Sequence, residues 1–317
     1  MIFDKFSEKY MEDAVKLAQA DYDRERKFVN TLYEKDFKDK LTNCLVDLFK
    51  SNYGAVALDN GKLIGYLGYL GPWDGCFGNV KGVFSPMFAN SFRGENRGRT
   101  ASKLFQYTSE QMVRDGILSF AVCTYSHDSE VKDSFVMNGF GIRCSDAIRR
   151  VDTPLDITVN PDYSYEEINY SNTEYLLKLK NSLVRHTKSS PIFMPCAELS
   201  AEDFKQLCER RKSRFFIAKD GKEAIGFIEV TDDGETFISE EEDMLNICGA
   251  YLEENYRGKS VFQSLLKFTL ESLKKDGINY LGVDCETLNP NALSFWGKYF
   301  ESYTYSFHRR IDERIIL

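Results

Sequence analysis

The segment Asn255–Leu266 contains an Arg-Gly-Lys turn and reads Asn-Tyr-Arg-Gly-Lys-Ser-Val-Phe-Gln-Ser-Leu-Leu. It follows an apolar run, Ile247–Leu252, and its own apolar residues continue with helical spacing. A strand that turns through Arg and Gly into a helix can hold a phosphate. Backbone N–H groups converge at the helix N-terminus, and Gly lets the backbone approach the ligand closely. The same letters also occur in solvated basic turns, so the segment alone leaves both interpretations open.

The bulk composition limits the kind of protein that carries this segment. A length of 317 residues predicts about two domains, and a net charge of −8 argues against nucleic-acid and anionic-membrane partners. The first twenty residues mix charged and apolar types, and no apolar run approaches the roughly twenty residues that span a bilayer. We therefore expect a cytoplasmic chain. The eight cysteines form no C-x-x-C pair and the histidines number three, which predicts reduced thiols and no metal site.

Two halves of the chain repeat the same short patterns in the same order. Asn-Gly-Lys at 60–62 returns as Asp-Gly-Lys at 220–222, and Arg-Gly at 97–98 returns as Arg-Gly at 257–258. Further matches join residues 115–117 with 276–278, 140 with 300 and 149–152 with 309–312. Five matches in one order indicate a duplication. We therefore predict a first domain at 1–152, a linker at 153–162 and a second domain at 163–317.

Each copy is predicted to contain helices, a hairpin with an Asn-Gly or Asp-Gly turn, and a strand that enters the Arg-Gly segment and a helix. An apolar strand, a short helix and a last strand follow. The predicted helices before the hairpins are Met11–Lys27, Asp36–Phe49, Thr173–Arg185 and Ala201–Arg211. The predicted strands are Ala55–Asp59, Leu63–Leu70, Val80–Ser85, Leu118–Tyr125, Phe215–Lys219, Ala224–Val230, Leu245–Leu252 and Tyr280–Glu286. This order predicts an α/β fold.

A second polar segment, Asn-Pro-Asn-Ala-Leu-Ser-Phe-Trp at 289–296, follows the last of these strands. With the Arg257 segment and the order of elements, it resembles the GNAT superfamily of acyl-CoA-dependent N-acetyltransferases, and the two copies resemble its tandem-domain members. The family loop reads R/Q-x-x-G-x-G/A, where this chain has Ser260 and Phe262 at positions that are usually small. The family's N-x-x-A-x-x-F-Y motif is matched except at Trp296. The resemblance implies two tandem GNAT-like domains, each a mixed, mostly antiparallel twisted sheet flanked by helices.

The resemblance also implies that acetyl-CoA is the acyl donor and that the second copy binds its diphosphate through backbone amides. The residues implied in binding are Leu252, Arg257, Gly258, Lys259, Ser260, Val261, Phe262, Asn289, Asn291, Phe295 and Trp296. The spacing of Phe262, Leu266, Thr269 and Leu273 predicts that the Phe262 ring also faces the core of the second copy.

Transfer of an acetyl group to an amine needs a proton acceptor, since roughly one lysine-like amine in a thousand is neutral at pH 7. Candidate bases are Glu229 on the predicted strand Ala224–Val230, Tyr251 and Glu253 on the strand before the loop, and Glu286 at the end of the next strand. The family's usual acid is a Tyr, which Trp296 replaces, and an indole N–H cannot serve as that acid. Tyr303 is a candidate replacement, as are two nearby tyrosines.

The first copy is interpreted as a divergent domain without catalysis. Its segment Arg93–Ser102 offers two Arg anchors, and Glu95 would place a carboxylate near a diphosphate. Ser129 and Val136 stand where the second copy has Asn289 and Trp296.

We therefore expect an N-acetyltransferase that acts by direct attack on the thioester in the second half. The acceptor is expected to be a primary amine of a small molecule or peptide, and the acidic segment 231–243 favours a cationic one. His186 either reaches the cleft or lies in solvent. The alternatives are a non-catalytic acyl-CoA-binding or sensing protein, and transfer of another acyl group. We expect a monomer or homodimer.

Overall fold

The computed structural model describes residues 1–75 and 78–315, and it leaves out the side chains of residues 172 and 174. The chain divides into two compact units. The first unit comprises Met1–Asp146 and Ser302–Leu317, and the second comprises Ala147–Glu301. Both units combine strands and helices in the predicted order, so the predicted α/β fold class is confirmed.

The first unit begins with a short strand and two helices, followed by hairpin strands and two further strand–helix pairs. Its elements are β1 (Ile2–Asp4), α1 (Met11–Glu25), α2 (Lys38–Phe49), β2 (Gly54–Asp59), β3 (Lys62–Gly68), β4 (Leu70–Asp74), β5 (Lys81–Ser85), β6 (Asn90–Phe92), α3 (Arg97–Arg114), β7 (Ile117–Tyr125), α4 (Ser129–Met137) and β8 (Gly141–Arg150), whose end lies in the second unit.

The rest of the chain repeats this order of elements. Its elements are β9 (Ser164–Asn169), α5 (Leu177–Lys188), α6 (Ala201–Arg211), β10 (Arg214–Asp220), β11 (Glu223–Thr231), β12 (Met244–Leu252), α7 (Val261–Lys275), β13 (Tyr280–Glu286), α8 (Pro290–Tyr299), β14 (Glu301–Ser302) and β15 (Thr304–Arg310). Each described helix is too short or too polar to cross a lipid bilayer.

The strands of the first unit belong to two sheets. One sheet has the order β1-β2-β3-β6, and the other places β4, β5, β7, β15 and β8 side by side. β15 pairs antiparallel with β7 from Thr304 opposite Tyr125 to Arg310 opposite Ser119. The last strand of the chain therefore completes the first unit. The compact units differ here from the predicted domains, in which residues 302–317 belong to the second.

The second unit has a sheet in which β9, β10, β11 and β12 are antiparallel neighbours and β13 joins β12 in parallel. The paired register of β12 and β13 ends at Ile247 and Val283, although β12 runs on to Leu252 and β13 to Glu286. A bulge interrupts the pairing of β11 and β12 after Glu229. Beyond Ile247 and Val283, β12 stays paired with β11 but not with β13, so the sheet opens between the ends of β12 and β13.

Helix α7 covers one face of this sheet. Its apolar residues recur at helical spacing, and Leu265, Leu266, Leu270 and Leu273 are buried against the strands. Burial of each such side chain stabilises the unit by about 1.5–3 kcal/mol before entropic costs are counted. This packing fixes where the N-terminus of α7 lies relative to the end of β12.

Candidate functional site

The loop between β12 and α7 begins with a short 3-10 turn, Glu254–Tyr256, and ends at Ser260. Gly258 has a φ of 75° and Ser260 a φ of 57°, so the chain passes twice through the left-handed region before the helix starts. The Ser260 side chain makes no capping hydrogen bond to α7. Because the first N–H groups of a helix lack intrahelical acceptors, those of α7 are available to an anion.

The space beside this loop is open on the glycine side. A Cβ built on Gly258 would meet no atom within 4 Å. The Arg257 Nε donates to the Leu252 carbonyl at 3.2 Å, its Nη1 lies 3.5 Å from a Glu254 carboxylate oxygen, and its guanidinium carbon lies 5.7 Å from the centre of the Tyr251 ring. The cation is thus held at the loop, next to the open space.

The segment that precedes β9 supports the loop from behind. The Asn160 side chain donates to the Lys259 carbonyl at 2.9 Å, and its backbone N–H donates to Ser264 Oγ at 3.0 Å. Ser264 Oγ in turn donates to the Ser260 carbonyl at 2.8 Å. The carbonyls of Lys259 and Ser260 are therefore already hydrogen-bonded within the unit.

Helix α8 provides the opposite wall. The Asn289 side chain caps this helix by accepting from the Ala292 N–H at 3.2 Å, and Pro290 is its first residue. The rings of Phe295 and Trp296 have centroids 4.9 Å apart, and each packs edge-to-face on Phe262. Trp296 is 6% exposed. The wall is thus aromatic, and it ties α8 to the first turn of α7.

A cavity of about 220 Å³ lies between α5, β12, the loop and α8. It is lined by nine of the eleven residues implied in cofactor binding: Leu252, Arg257, Gly258, Val261, Phe262, Asn289, Asn291, Phe295 and Trp296. Lys259 and Ser260 lie in the loop but do not line the cavity. Phe262 is also packed against the core of the second unit, in keeping with its helical spacing. The other lining residues are Leu183, His186, Ala250, Tyr251, Tyr256, Gln263 and Ala292.

The predicted proton-transfer residues are spread more widely. Tyr251 lines the cavity, whereas Glu253 does not, and its carboxylate lies 3.5 Å from Lys178. Glu286 ends β13 and is absent from the lining. Tyr303 is 1% exposed and belongs to the first unit, where its N–H donates to the Asp146 carbonyl. The roles of these four residues remain predictions.

Residues that the sequence did not assign to the site also line it. His186 and Leu183 project from α5, three residues apart on one helical face. That spacing is visible in the sequence, but nothing in it says which sheet edge α5 covers. Ala250 and Tyr256 reach the cavity because they flank Tyr251 and Arg257 on elements that were predicted.

A buried ion pair lies behind β12. Glu229 is fully buried, its carboxylate contacts the Lys180 ammonium, and it accepts from Ser213 Oγ at 2.7 Å. Burial alone would raise the pKa of Glu229, but Lys180 and the hydrogen bonds outweigh it and hold that pKa below its usual value. A Cβ on Gly249 would lie 2.9 Å from the Glu229 carboxylate, so glycine lets β12 pass over the pair.

Two cysteines lie on the diverging strands. Cys248 on β12 is exposed and Cys285 on β13 is buried. Desolvation by the surrounding protein atoms raises the pKa of each thiol to about 12. Both are therefore protonated thiols at neutral pH, and the thiolate that could accept an acyl group is rare.

The matching Arg-Gly pair of the first unit stands at the start of α3 and has a different environment. Arg97 donates from Nε and Nη2 to the two carboxylate oxygens of Asp128, at 3.2 Å each, and Arg24 donates to one of the same oxygens at 2.9 Å. The Gly98 N–H donates to a carboxylate oxygen of Glu130 at 3.2 Å. The Arg and the glycine N–H are thus bound by side chains of the same unit.

Comparisons with known proteins agree with this geometry. Residues 182–300 match the model of the acetyltransferase (GNAT) family. The comparison with curated protein sequences gave no match.

Three solved structures extend the likeness to nearly the whole chain. A GCN5-related N-acetyltransferase from Sphaerobacter thermophilus has a TM-score of 0.61 at 10% identity, with 98% of this chain and 95% of that chain covered. A GNAT acetyltransferase from Colwellia psychrerythraea has a TM-score of 0.51 at 11% identity, over 98% and 100%. A tandem GNAT protein from the clavulanic acid biosynthesis pathway has a TM-score of 0.51 at 12% identity, over 98% and 97%.

At these identities the structures share the fold with this chain, and the family model covers most of the second unit. The predictions of a tandem GNAT fold and of a better-matched second half are confirmed. Residues 182–300 are a domain of the acetyltransferase (GNAT) family, in a chain with the fold of tandem GNAT proteins.

Proposed function

We propose that this chain is an acetyl-CoA-dependent N-acetyltransferase whose second unit binds the donor and transfers its acetyl group to a primary amine. One observation carries the proposal. The free N-terminus of α7, Gly258 and Arg257 open into the same cavity as Asn289 and Trp296. An anionic group and an apolar arm of one ligand can therefore be bound at once.

The residues present suit CoA. Its diphosphate would accept from the first N–H groups of α7 and lie beside the Arg257 cation, where Gly258 leaves room for it. The aliphatic arm that carries the thioester would lie along the apolar wall that includes Phe262 and Trp296. The thioester supplies an acetyl group that is activated for attack by nitrogen.

Acetyl transfer forms a bond between the amine nitrogen and the carbonyl carbon and breaks the carbon–sulfur bond. The electron pair of that bond leaves with the sulfur of CoA, and the amine loses one proton. Because Cys248 and Cys285 are protonated, direct attack by the amine is favoured over an acyl-cysteine route. The leaving thiol has an ordinary pKa of about 8.5, so its departure needs only modest help.

Trp296 supports a second candidate, an acyl-CoA-binding or sensing protein without catalysis. The residue is buried in the aromatic wall at the position where the family has its Tyr acid, and its indole can donate but not transfer a proton as that Tyr does. Binding without turnover would favour this alternative.

We also propose that the acceptor is cationic. Within the connection from β11 to β12, Asp232, Asp233, Glu240 and Glu242 are exposed. Their negative potential would attract an ammonium group and raise its local concentration.

The test is a calorimetric titration of the full chain with acetyl-CoA, followed by a thiol-release assay with spermidine, kanamycin and a lysine-containing peptide. Micromolar binding with CoA release supports the enzyme, and binding without release supports the alternative. Absence of binding at millimolar acetyl-CoA contradicts both.

A matched pair of variants assigns the site to one unit. Arg257→Gln should weaken acetyl-CoA binding about tenfold, the loss of one charge-assisted contact. Arg97→Gln should leave that affinity unchanged, because Asp128 already binds Arg97. The opposite pattern would assign the cofactor to the first unit.

A further inference from the structure

We infer that His186 accepts the proton released by the attacking amine, an inference that rests on the proposed acetyl transfer. Four titratable side chains line the cavity: His186, Tyr251, Tyr256 and Arg257. Phenol and guanidinium groups in general keep their proton at neutral pH, whereas imidazole is the kind of side chain that exchanges one there. The lining includes no carboxylate among the residues that the structure describes.

The position of His186 suits this role. It lies in the last turn of α5 and is partly buried, and its ring centroid lies 6.5 Å from that of Tyr251. The described residues offer its imidazole no hydrogen bond, so both ring nitrogens are available. Its backbone carbonyl is engaged by the Ser189 N–H and hydroxyl, which anchor the end of the helix.

The nearby carboxylates are poorly suited to the same task. Glu229 is fully buried and paired with Lys180, so a proton transferred to it would leave an unpaired ammonium inside the unit. Glu253 is near Lys178 and outside the lining of the cavity.

The titratable and charged groups around His186 come from β12, from the loop before α7 and from α5 itself. Tyr251 lies on β12, and Tyr256 and Arg257 lie in the loop before α7. On α5 itself, Arg185 and Lys188 are exposed. In the proposed step the amine nitrogen bonds to the acetyl carbon, the carbon–sulfur electron pair leaves with CoA, and the proton from nitrogen moves to a ring nitrogen of His186.

The first test measures a pH profile. Wild-type CoA release with the most active of the three amines should fall as the pH drops from about 8 to 5, the range in which imidazole protonates. His186→Gln should lower kcat by about 10²-fold and remove this dependence. The Kd for acetyl-CoA should stay within about twofold of wild type. Lys188→Gln, an exposed change on the same helix, should behave as wild type.

The second test needs no amine. Diethylpyrocarbonate modifies unprotonated imidazoles, and peptide mapping by mass spectrometry reports each one. Acetyl-CoA at ten times its Kd should slow modification of His186 about tenfold, since roughly one site in eleven stays free. His127 in the first unit, whose side chain is 41% exposed, is the internal control and should be unaffected.

The outcomes separate the two proposals. If His186→Gln keeps the wild-type rate and pH profile, or acetyl-CoA fails to protect His186, the inference is overturned and the acetyltransferase function stands. A wild-type chain that binds acetyl-CoA but releases no CoA with any amine overturns both, and points to the non-catalytic alternative.

Discussion

Gly98 and Gly258 match in the sequence repeat, yet their surroundings are opposite: Gly98 is the second residue of α3, and Gly258 lies in the loop before α7. A Cβ on Gly258 would meet nothing within 4 Å, whereas one on Gly98 would lie 2.5 Å from the Glu130 carbonyl oxygen. The Gly98 N–H already donates to the Glu130 carboxylate. The Gly258 loop is open toward a cavity, whereas the start of α3 is closed by Glu130 of α4.

The difference lies in which groups bind the Arg-Gly pair. Asp128 and Glu130 satisfy Arg97 and the start of α3, as a phosphate would, but they are part of the chain. In the second unit Asn289 and Asn291 stand at the start of α8, and they bring no charge. Two carboxylates at the start of α4 therefore distinguish the start of α3, which they cover, from the loop before α7, which opens on the cavity.

The largest expected effect comes from Gly258→Glu, which places bulk and negative charge in the open space. Acetyl-CoA affinity should fall by about 10²-fold or more, as expected when charge-assisted hydrogen bonds are lost. Wild type should bind one acetyl-CoA per chain by calorimetry, and the variant none at the same concentrations.

Gly277→Glu is the matched control, since Gly277 also has a positive φ, of 80°, and nothing within 4 Å, but lies at the other end of α7. It should bind acetyl-CoA as wild type does. Equal losses in both variants would mean that backbone strain, rather than the site, explains the result.

A smaller effect is expected on stability from the pair Gly98→Ala and Gly258→Ala. The first forces a Cβ against the Glu130 backbone and should lower the free energy of unfolding in urea by about 1–3 kcal/mol. Gly258→Ala places a Cβ on a residue with a positive φ, and this strain is partly offset because alanine also restricts the unfolded chain. Its free energy of unfolding should therefore fall by about 1 kcal/mol or less.

Hydrogen–deuterium exchange shows which helices are destabilised by each alanine substitution. Gly98→Ala should accelerate exchange in α3 and α4, and Gly258→Ala should not. If Gly98→Ala leaves the free energy of unfolding unchanged, Glu130 does not close the start of α3 as the structure describes.

The smallest effect is a pH dependence carried by Asp21, which belongs to the network around Arg97. Burial raises the pKa of Asp21 to about 6, against the opposing effects of Arg24 at 2.8 Å and Ser91 at 2.6 Å. The folded state therefore holds this proton more tightly than the unfolded chain does. As the pH rises through about 4 to 6, stability from this group falls by at most about 1.4 kcal/mol per pH unit.

Asp21→Asn should remove this slope. The stability of the variant relative to wild type should rise between pH 4 and pH 6 and then stay level, as followed by urea unfolding. Asp47→Asn, at a side chain that is 83% exposed, is the control and should change nothing in this window. A wild-type slope equal to that of the variant would contradict the prediction.

Much of the fold could be predicted because local patterns and packing agree. The helix Ala201–Arg211 and the strand Tyr280–Glu286 were predicted with the bounds that they have. The strand predicted at Leu63–Leu70 is instead split into β3 and β4, which join different sheets. Periodicity predicts that a segment is extended, but it does not report a change of sheet partner.

The sequence predicted those cavity-lining residues that lie on two continuous segments of the chain. The loop from Arg257 and the segment from Asn289 line one cavity, because α7 and β13 place both at the same end of the sheet. His186 was left undecided, since its approach to the site depends on how α5 packs on β12. Tyr303 was predicted as a candidate acid for the second copy, but it lies directly before β15 and belongs to the first unit.

The sequence by itself determined the duplication, the α/β order and the loop that is suited to a phosphate, because these depend on residue type and spacing along the chain. Only the tertiary structure decided which loop is open, which residues face the cavity and which unit the last strand completes. The matching patterns at 149–152 and 309–312 show the reason. These patterns stand at the ends of β8 and β15, and the two copies of the sheet offer equivalent neighbours to each of these two strands. The local sequence of a strand cannot choose between equivalent partners.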